Sequence, residues 1–418
     1  MTTVEAAGNQ VRIPSEVRRQ RVLGVVYLLL AIVVAWFFAM GSEGDATFRL
    51  GEGGQDLDLT FSAAGMGWVT AAIFAFLAGL HLTRGLGRRT NLVLAFALAL
   101  FAFAFLAWAA AGSSFSLLGM LRTTVAAATP IAFGGLSGVL CERVAVINIG
   151  IEGMLLTGAF MAAFIGTLTN QWVGLLAATV SGGVMALALA VLAIRYRVDQ
   201  IIAGVVINIF ALGLTSFLSS QILVENSERF NRPGVVQAIR IPVLADIPVI
   251  GPILFNQNIF VYTLWITVAA TTYGLFRTRW GLRSRAVGEH PKAADTLGIN
   301  VYRMRYLNVL LGGLVAGFGG AYFTLGSVGA FNENMTAGRG FIGLAAMIFG
   351  RWHPVGALAA ALVFGFADSL QVRLGILDVG IPSDFLLMAP YIVTIIVVAG
   401  VVGRARPPAA DGQPYVKE

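Results

Sequence analysis

Residues 277–305 read RTRWGLRSRAVGEHPKAADTLGINVYRMR, a hydrophilic stretch between apolar runs that are each long enough to cross a bilayer. Because Lys and Arg beside a membrane span resist translocation, this stretch is expected on the cytoplasmic side. The only acidic residues in it are Glu289 and Asp295, and its basic residues are Arg277, Arg279, Arg283, Arg285, Lys292, Arg303 and Arg305. The stretch therefore predicts a polytopic membrane protein with a basic loop in the cytoplasm.

Within this loop, residues 289–298 predict a short helix. Pro291 suits a first helical turn, Leu297 and the alanines favour helix, and Gly298 can end it. A short, partly apolar helix held under a membrane can dock onto a cytoplasmic protein, but composition alone leaves open a connecting loop that only fixes orientation. The residues of the predicted docking helix are Glu289, His290, Pro291, Lys292, Ala293, Ala294, Asp295, Leu297 and Gly298.

The composition excludes several classes of protein. Of 418 residues, 57% are hydrophobic and only 12% are charged, whereas about 25% are charged in a soluble domain. The net charge of +7 does not indicate nucleic acid binding, because most of the 28 Lys and Arg fall in segments expected in the cytoplasm. The single Cys141 excludes an internal disulfide, and the three histidines are too scattered for a metal site.

The chain also lacks the residues of an ATPase. Its only lysines, Lys292 and Lys417, do not follow a glycine-rich loop, so no phosphate-binding loop is present. No cluster of His, Cys, Asp and Glu and no nucleophile motif indicates an enzyme of another kind. No catalytic residue, bound metal or cofactor is therefore expected on this chain.

Apolar runs predict about twelve membrane segments, with both termini in the cytoplasm. The first run follows a long polar leader and lacks a cleavage site, so an uncleaved span is favoured over a signal peptide. Residues 339–350 are too short to cross alone and are expected to form a broken or re-entrant helix covered by protein. The predicted segments are 22–40, 64–83, 91–111, 117–140, 146–168, 173–194, 200–222, 259–276, 306–328, 339–350, 355–373 and 384–402.

These segments divide the chain into four parts. The first three spans contain few polar groups, whereas the later ones carry Gly, Asn, Thr and Ser, as helices do when they pack closely or line a path. The loops expected outside are the acidic, Gly-rich residues 41–62 and the long loop 223–258. The parts are a cytoplasmic N-terminal tail (1–21), a three-span extension (22–116), a core (117–403) and a cytoplasmic C-terminal tail (404–418).

Parts of the core repeat one another. The sequence NIGIEGML at 148–155 is echoed by NMTAGRGFI at 334–342, and VGLLAA at 173–178 by VGALAA at 355–360. In the predicted topology the two copies run in opposite directions, and such inverted repeats are typical of alternating-access transporters. Apolar helices rich in Ala and Gly also resemble one another by chance, so the repeat alone does not establish a transporter.

Four stretches, residues 129–160, 199–218, 246–257 and 280–371, together resemble a known family. The most specific motifs are NIGIEGMLLTGAF, which begins at Asn148, and GEHPKAADTLGI in the basic loop. They are similar to permease subunits of bacterial ATP-binding-cassette (ABC) importers of the branched-chain amino acid/ribose class, most closely to nucleoside permeases. The likeness covers roughly residues 119–403 and leaves the first three spans outside it.

This resemblance implies a fold and a set of partners. The fold is an all-α type II ABC importer transmembrane domain in the bacterial plasma membrane. Residues 289–298 match the coupling helix that seats in a groove of the ATPase, which favours docking over a mere connection. The implied partners are a second, usually different permease, two cytoplasmic ATPase subunits that bind ATP and Mg²⁺, and an extracytoplasmic substrate-binding protein or lipoprotein.

The implied cargo is a nucleoside, and ribose or another simple sugar is the alternative within the family. An ion-coupled secondary transporter is a further alternative, but it would need carboxylates in the middle of the membrane as relays. Only Glu152 and Asp368 are candidates for that role. A passive path through this chain, powered by partner subunits, is therefore the favoured prediction.

Charged residues inside spans are candidates for the substrate path, because a central charge costs about 2.5–3.5 kcal/mol on insertion scales. Glu152 and Arg339 occupy matching positions of the repeat and can be a gate or a substrate contact. More simply, they pair with each other or cap broken helices. Asp368 near the outer end can line the mouth of the path or pair with Arg373. Glu142 and Arg143, at the inner end of a span, are expected to be interfacial anchors.

Neutral polar and aromatic residues complete the candidates. Asn148 and Asn334 can contact substrate or cap half-helices, which is the commoner role of Asn beside Gly. Asn208, in the middle of a span, is expected to bond another helix or to face the path. A nucleobase can stack on Phe, although a lone Phe in a helix is more often in the core or facing lipid. The predicted path residues are Asn148, Glu152, Asn208, Phe210, Phe323, Asn334 and Arg339.

Overall fold

The computed structural model describes residues 14–51, 57–377, 388 and 406–417. Ten of the helices in these ranges are long and apolar enough to cross a membrane, and Arg339–Phe349 is a shorter apolar helix. These eleven helices follow the first eleven predicted segments in order, and the twelfth, 384–402, lies outside the described residues. The predicted class, an all-α polytopic membrane protein, is confirmed.

The described residues form two compact units. One comprises the chain up to Leu117 with a short stretch that begins at Leu374, and the other comprises residues 118–373 and the C-terminal tail. The first division lies next to residue 117, where the predicted core begins.

The first unit combines three helices with a small sheet. Its elements are α1 (Pro14–Val33, continued by π-helix Val34–Ala39), β1 (Asp45–Arg49), β2 (Asp58–Ser62), α2 (Ala63–Thr83), a 3-10 turn (Gly87–Arg89), α3 (Thr90–Ala109) and β3 (Ser114–Ser116). Strand β1 pairs antiparallel with β2 and parallel with β3. The buried ring of Phe48 lies 5.1 Å from that of Phe61 and 5.8 Å from that of Phe115, which stabilises strands that were not predicted.

The second unit begins with four long helices. They are α4 (Leu117–Glu142), α5 (Ile151–Leu168), α6 (Gln171–Ala190, continued by π-helix Val191–Arg195) and α7 (Gln200–Leu218, continued by π-helix Ser219–Val224). Asn170 and Asp199 start α6 and α7, because each side chain accepts hydrogen bonds from two backbone N–H groups of the first turn. Helix α5 differs, since Gly150 at its N-cap has no side chain to offer.

Short elements and one long helix follow α7. They are α8 (Ser227–Phe230), β4 (Ile239–Arg240), α9 (Ile250–Leu254), β5 (Asn256–Gln257) and α10 (Ile259–Arg277). Strands β4 and β5 pair antiparallel, and the Tyr262 hydroxyl donates a hydrogen bond to the Ile239 carbonyl (2.7 Å). Asn258 caps α10 by accepting from Val261 N–H. The predicted long outer loop is thus a structured segment tied to the start of α10.

The remaining helices run from the basic loop to the last described span. They are α11 (Arg279–Glu289), α12 (Pro291–Thr296), α13 (Val301–Ala321, continued by π-helix Tyr322–Val328), α14 (Arg339–Phe349) and α15 (Pro354–Leu377). Asn300 starts α13 by accepting from Arg303 N–H (2.9 Å). Helix α14 has 11 residues, about 16 Å at 1.5 Å per residue, so it is too short to cross a hydrocarbon core of about 30 Å.

Glycines let the central helices of this unit approach closely. Gly317 of α13 lies between α5 and α6, where it packs on the backbones of Gly158 and Gly182. A Cβ atom at Gly317 would lie 2.9 Å from the Gly182 Cα atom, closer than side-chain carbons pack. Inside a bilayer, where helices lack a hydrophobic driving force for association, such close backbone contact favours the packing of α5, α6 and α13.

Candidate functional site

The predicted docking helix is present as α12. His290 Nδ1 accepts a hydrogen bond from Ala293 N–H (3.2 Å), Pro291 occupies the first helical position, and Gly298 has a φ of +81°. This left-handed conformation suits Gly, so the chain turns there at little cost. A short helix at this place is confirmed, but it spans Pro291–Thr296 and not 289–298, because Glu289 ends the preceding helix α11 and Gly298 lies beyond the last turn. Helix α11, which carries three of the seven basic residues of the loop, was not predicted.

Helix α12 turns one side outward and one side inward. Leu297 is 81% exposed, whereas Ala294 is buried in an apolar cluster with Val287 and Val301. Ala294 therefore fixes the helix to its own chain, and the outer side presents an apolar residue that a second protein can cover. The exposed members of the predicted docking set are Glu289, His290, Lys292, Ala293, Leu297 and Gly298.

Glu152 joins helices α5 and α14. It lies in the first turn of α5 and is 8% exposed. One carboxylate oxygen accepts from the Thr336 hydroxyl (2.6 Å) and from Gly338 N–H (2.8 Å), and the other accepts from Gly340 N–H (2.6 Å). These donors stand at the start of α14, where unpaired N–H groups and the helix dipole favour an anion. Glu152 thus caps α14 and not its own helix.

The start of α5 receives its cap from α7. The Asn208 amide accepts a hydrogen bond from Gly153 N–H (2.8 Å) and donates one to the Ile149 carbonyl (2.9 Å). Asn208 therefore bonds another helix, one of the two roles expected for it. Gly153 and Gly340 are equivalent in the sequence repeat, and both donate their N–H to a side chain of a neighbouring helix.

Arg339 has a different partner from the one expected. Its guanidinium nitrogen lies 3.6 Å from an Asp368 carboxylate oxygen of α15, and its Cζ atom lies 5.9 Å from the centre of the Phe323 ring. The expected pair between Glu152 and Arg339 is wrong, because the Glu152 carboxylate is turned to the backbone of α14. Asp368, expected at the mouth of the path or beside Arg373, faces Arg339. The Arg339 and Asp368 side chains are 34% and 18% exposed.

The aromatic candidates lie in separate places. Phe323 is 7% exposed and belongs to an apolar cluster with Phe160 and Phe331, whose rings meet edge to face at 5.3 Å. Phe210 is 55% exposed on the outer side of α7, next to the exposed Ile209. Phe323 therefore lies beside the ion pair of Arg339 with Asp368, whereas the ring of Phe210 is exposed on the surface of the second unit.

Asn148 and Asn334 do not cap helices through their side chains. Asn148 is fully buried, and its amide nitrogen lies 3.3 Å from the Ser137 hydroxyl and 3.4 Å from the Cys141 sulfur. Its carbonyl oxygen has no hydrogen-bond partner among the described residues. Asn334 is exposed with a φ of +53°, and its backbone carbonyl accepts from Ala337 N–H in the turn before α14. The capping role expected for them is wrong.

Glu142 is not an interfacial anchor. It is 4% exposed, and its carboxylate accepts a hydrogen bond of 2.5 Å from the Trp352 indole N–H. Arg143 donates to the Trp352 backbone carbonyl (2.9 Å), and its guanidinium lies 5.4 Å from the centre of the Phe276 ring. Both residues tie the end of α4 to the turn between α14 and α15. Burying a carboxylate requires such a partner.

The described contacts gather four polar side chains at the start of α14 and show no metal site. Among the described residues, no three His, Cys, Asp or Glu side chains gather as metal ligands would. The polar residues brought together at the start of α14 are Glu152, Thr336, Arg339 and Asp368. Thr336 and the backbone donors beside it were not among the predicted site residues.

Comparisons with known proteins give a consistent result. A family model described as "Branched-chain amino acid transport system / permease component" matches residues 120–401. The guanosine ABC transporter permease protein NupQ of Bacillus subtilis is 43% identical over 308 residues, which cover 71% of this chain and 96% of NupQ.

Two further relatives extend this comparison. The nucleoside ABC transporter permease protein NupC of Lactococcus lactis is 42% identical over 69% of this chain and 94% of its own length. The putative glucose ABC transporter permease protein TsgC13 of Haloferax volcanii is 36% identical over 61% of this chain and 77% of its own length. No solved structure matches the chain.

Proposed function

The chain belongs to the family of permease components of branched-chain amino acid transport systems, and we propose that it carries nucleosides into the cell as a subunit of an ATP-driven importer. The observation that supports this cargo is the 43% identity to a guanosine permease along 96% of that relative's length.

ATP hydrolysed by two partner subunits in the cytoplasm drives the transport. The sequence has no glycine-rich loop in front of either lysine, so the phosphates of ATP and their Mg²⁺ would be bound by the partners. The exposed side of α12, with Leu297 at its end, is the surface that an ATPase subunit would cover. The role of this chain is therefore to convert movement of the ATPase subunits into a conformational change of the substrate path.

A second permease and an extracytoplasmic binding protein complete the transporter. The outer side of α7 carries Ile202, Ile209, Phe210 and Phe217, which are between 55% and 66% exposed. Inside a membrane, lipid or another permease covers such a face. If the substrate path lies between two permeases, Phe210 lines it, and its aromatic ring can stack on a nucleobase.

A sugar is the second candidate cargo, because the putative glucose permease TsgC13 is 36% identical to this chain. An ion-coupled transporter fits the geometry less well. Glu152 is held by three hydrogen bonds and Asp368 by an ion pair. Neither of the two candidate relay carboxylates is therefore free to exchange protons without breaking the contacts that it makes.

Competition for uptake separates the two cargoes. Cells that lack their own nucleoside importer and express the complete transporter should accumulate labelled guanosine, and excess unlabelled nucleosides should suppress this accumulation. Excess ribose or glucose should leave it unchanged. Uptake of labelled glucose that nucleosides fail to suppress would favour the sugar permease.

Both termini and the basic loop face the cytoplasm in this proposal, and cysteine labelling tests that orientation. In a Cys141→Ser background, Leu59→Cys and Glu228→Cys should react with a membrane-impermeant maleimide on intact cells, because both side chains are exposed in loops expected outside. Leu297→Cys, which is 81% exposed in this chain alone, should react only after the membrane is opened, and this variant is expressed without the ATPase subunits that would cover it. Labelling of Leu297→Cys on intact cells would reverse the arrangement.

A further inference from the structure

The C-terminal residues 406–417, here called the strap, pack along the coupling segment. Ala410 N–H donates a hydrogen bond of 3.0 Å to the Gly288 carbonyl near the end of α11. The preceding N–H, that of Ala409, donates to the Glu289 carboxylate (3.3 Å). The sequence predicted only a polar cytoplasmic tail here, so these contacts are new information from the structure.

The middle of the strap is held by a buried arginine. Arg305, in the second turn of α13, is 1% exposed and donates to the backbone carbonyl of Gln413 (3.2 Å). Asp411 interacts electrostatically with this guanidinium and with Glu142, and burial raises the pKa of the Asp411 carboxyl to about 6. A buried charge needs partners to persist, and the strap supplies some of those partners to Arg305.

The end of the strap reaches α12. Tyr415 is 6% exposed in the same apolar cluster as Ala294, and its ring centre lies 5.4 Å from that of Tyr302. The Tyr302 hydroxyl donates to the Tyr415 carbonyl (3.4 Å), and the Lys417 ammonium lies 3.6 Å from the Asp295 carboxylate. The strap therefore contacts α11, α12 and α13 within twelve residues.

A helix as short as α12 depends on such support. It has 6 residues, and helices shorter than about 12 residues are marginal in water unless they pack on something. The strap packs on its inner side and leaves Leu297 outward, so it supports the docking surface and does not cover it. A loose segment would absorb the movement of a docked protein, whereas a supported one transmits it.

We propose that residues 406–417 hold the coupling segment against α13, so that movement of the ATPase subunits reaches the transmembrane helices. This inference rests on the proposed function for the identity of the docked partner, but not for the effect of the strap on the coupling segment. Tyr415 and Arg305 are then positioning residues, which act on transport through α12 and touch neither ATP nor cargo.

The test uses the complete transporter in lipid nanodiscs, with Tyr415→Ala and a chain that ends at residue 405 as two independent ways to release the strap. Gln413→Ala is the matched control, because it removes an exposed side chain and keeps the carbonyl that Arg305 binds. Hydrogen exchange of the amides in 286–299 should become at least about tenfold faster in both released variants. Cargo moved per ATP hydrolysed should fall at least about fivefold, with hydrolysis retained.

Unchanged exchange in 286–299 in both variants would overturn the inference, and so would faster exchange with an unchanged ratio of cargo to ATP. The exchange measurement needs no cargo. Faster exchange in a transporter whose wild type moves no nucleoside would therefore support the strap and contradict the proposed cargo. Equal effects of Gln413→Ala and Tyr415→Ala would also contradict the role proposed for the strap, since the control leaves every strap contact in place.

Discussion

Replacement of Glu152 by alanine is expected to abolish uptake and to lower the melting temperature of the purified permease. The change leaves the Thr336 hydroxyl and the N–H groups of Gly338 and Gly340 without their acceptor. Each buried, unsatisfied polar group costs about 1–3 kcal/mol. Three of them represent a large share of a typical stability of about 5–15 kcal/mol. The short helix α14 should therefore detach from α5.

A second carboxylate cap provides the control for this prediction. Asp199 accepts from two N–H groups at the start of α7, but it is exposed, so water can replace it. Asp199→Ala should cost only about 1 kcal/mol, the usual effect of losing an N-cap, and should leave uptake measurable. Glu152→Gln should resemble Glu152→Ala. The amide NH2 group of Gln would replace one acceptor oxygen and would face an N–H or O–H donor at the start of α14. Wild-type melting and uptake in Glu152→Ala would contradict the capping role.

The second large effect is expected at Arg339 and Asp368. Arg339→Gln alone or Asp368→Asn alone leaves one charge unpaired, and each should reduce uptake by about tenfold. The double variant should recover part of this loss, with a coupling energy of roughly 0.5–3 kcal/mol. The lower part of that range fits a pair in which Arg339 remains 34% exposed.

A matched double variant makes the Arg339 result specific. Arg339→Gln combined with Glu152→Gln should show no recovery, because Glu152 binds the backbone of α14 and not the guanidinium. Uptake by each variant, corrected for the amount of protein in the membrane, gives the comparison. Recovery with Glu152→Gln but not with Asp368→Asn would mean that the pair suggested by the sequence repeat is the one that operates.

Most helices of this fold could be predicted from local sequence patterns, without knowledge of tertiary contacts. Apolar runs long enough to cross a bilayer placed every described membrane helix, and the short run before Gly350 was correctly distinguished from a full span. Helix α12 was predictable because Pro291 and Gly298 act on their own neighbours. The strands around Phe48 were not, because their stability comes from rings contributed by distant segments.

The sequence did not reveal which side chains contact one another. The repeat placed Glu152 and Arg339 at matching positions, but two equivalent positions need not touch. Which charge meets Arg339 depends on the rotation of α15, and this rotation brings Asp368 to it. The strap escaped detection for the same reason. The run PPAADGQPYVKE at 407–418 has a polar composition, and only its packing on α13 shows that Tyr415 is buried.

The most direct test of the proposed function is transport by the complete transporter in sealed vesicles, with the binding protein and labelled guanosine on one side and ATP on the other. Labelled guanosine should accumulate on the ATP side above its equilibrium concentration. This accumulation should stop when ATP is replaced by a non-hydrolysable analogue or when this chain is omitted. Accumulation that persists without ATP and follows an ion gradient, or a complete transporter that hydrolyses ATP and moves no nucleoside, would contradict it.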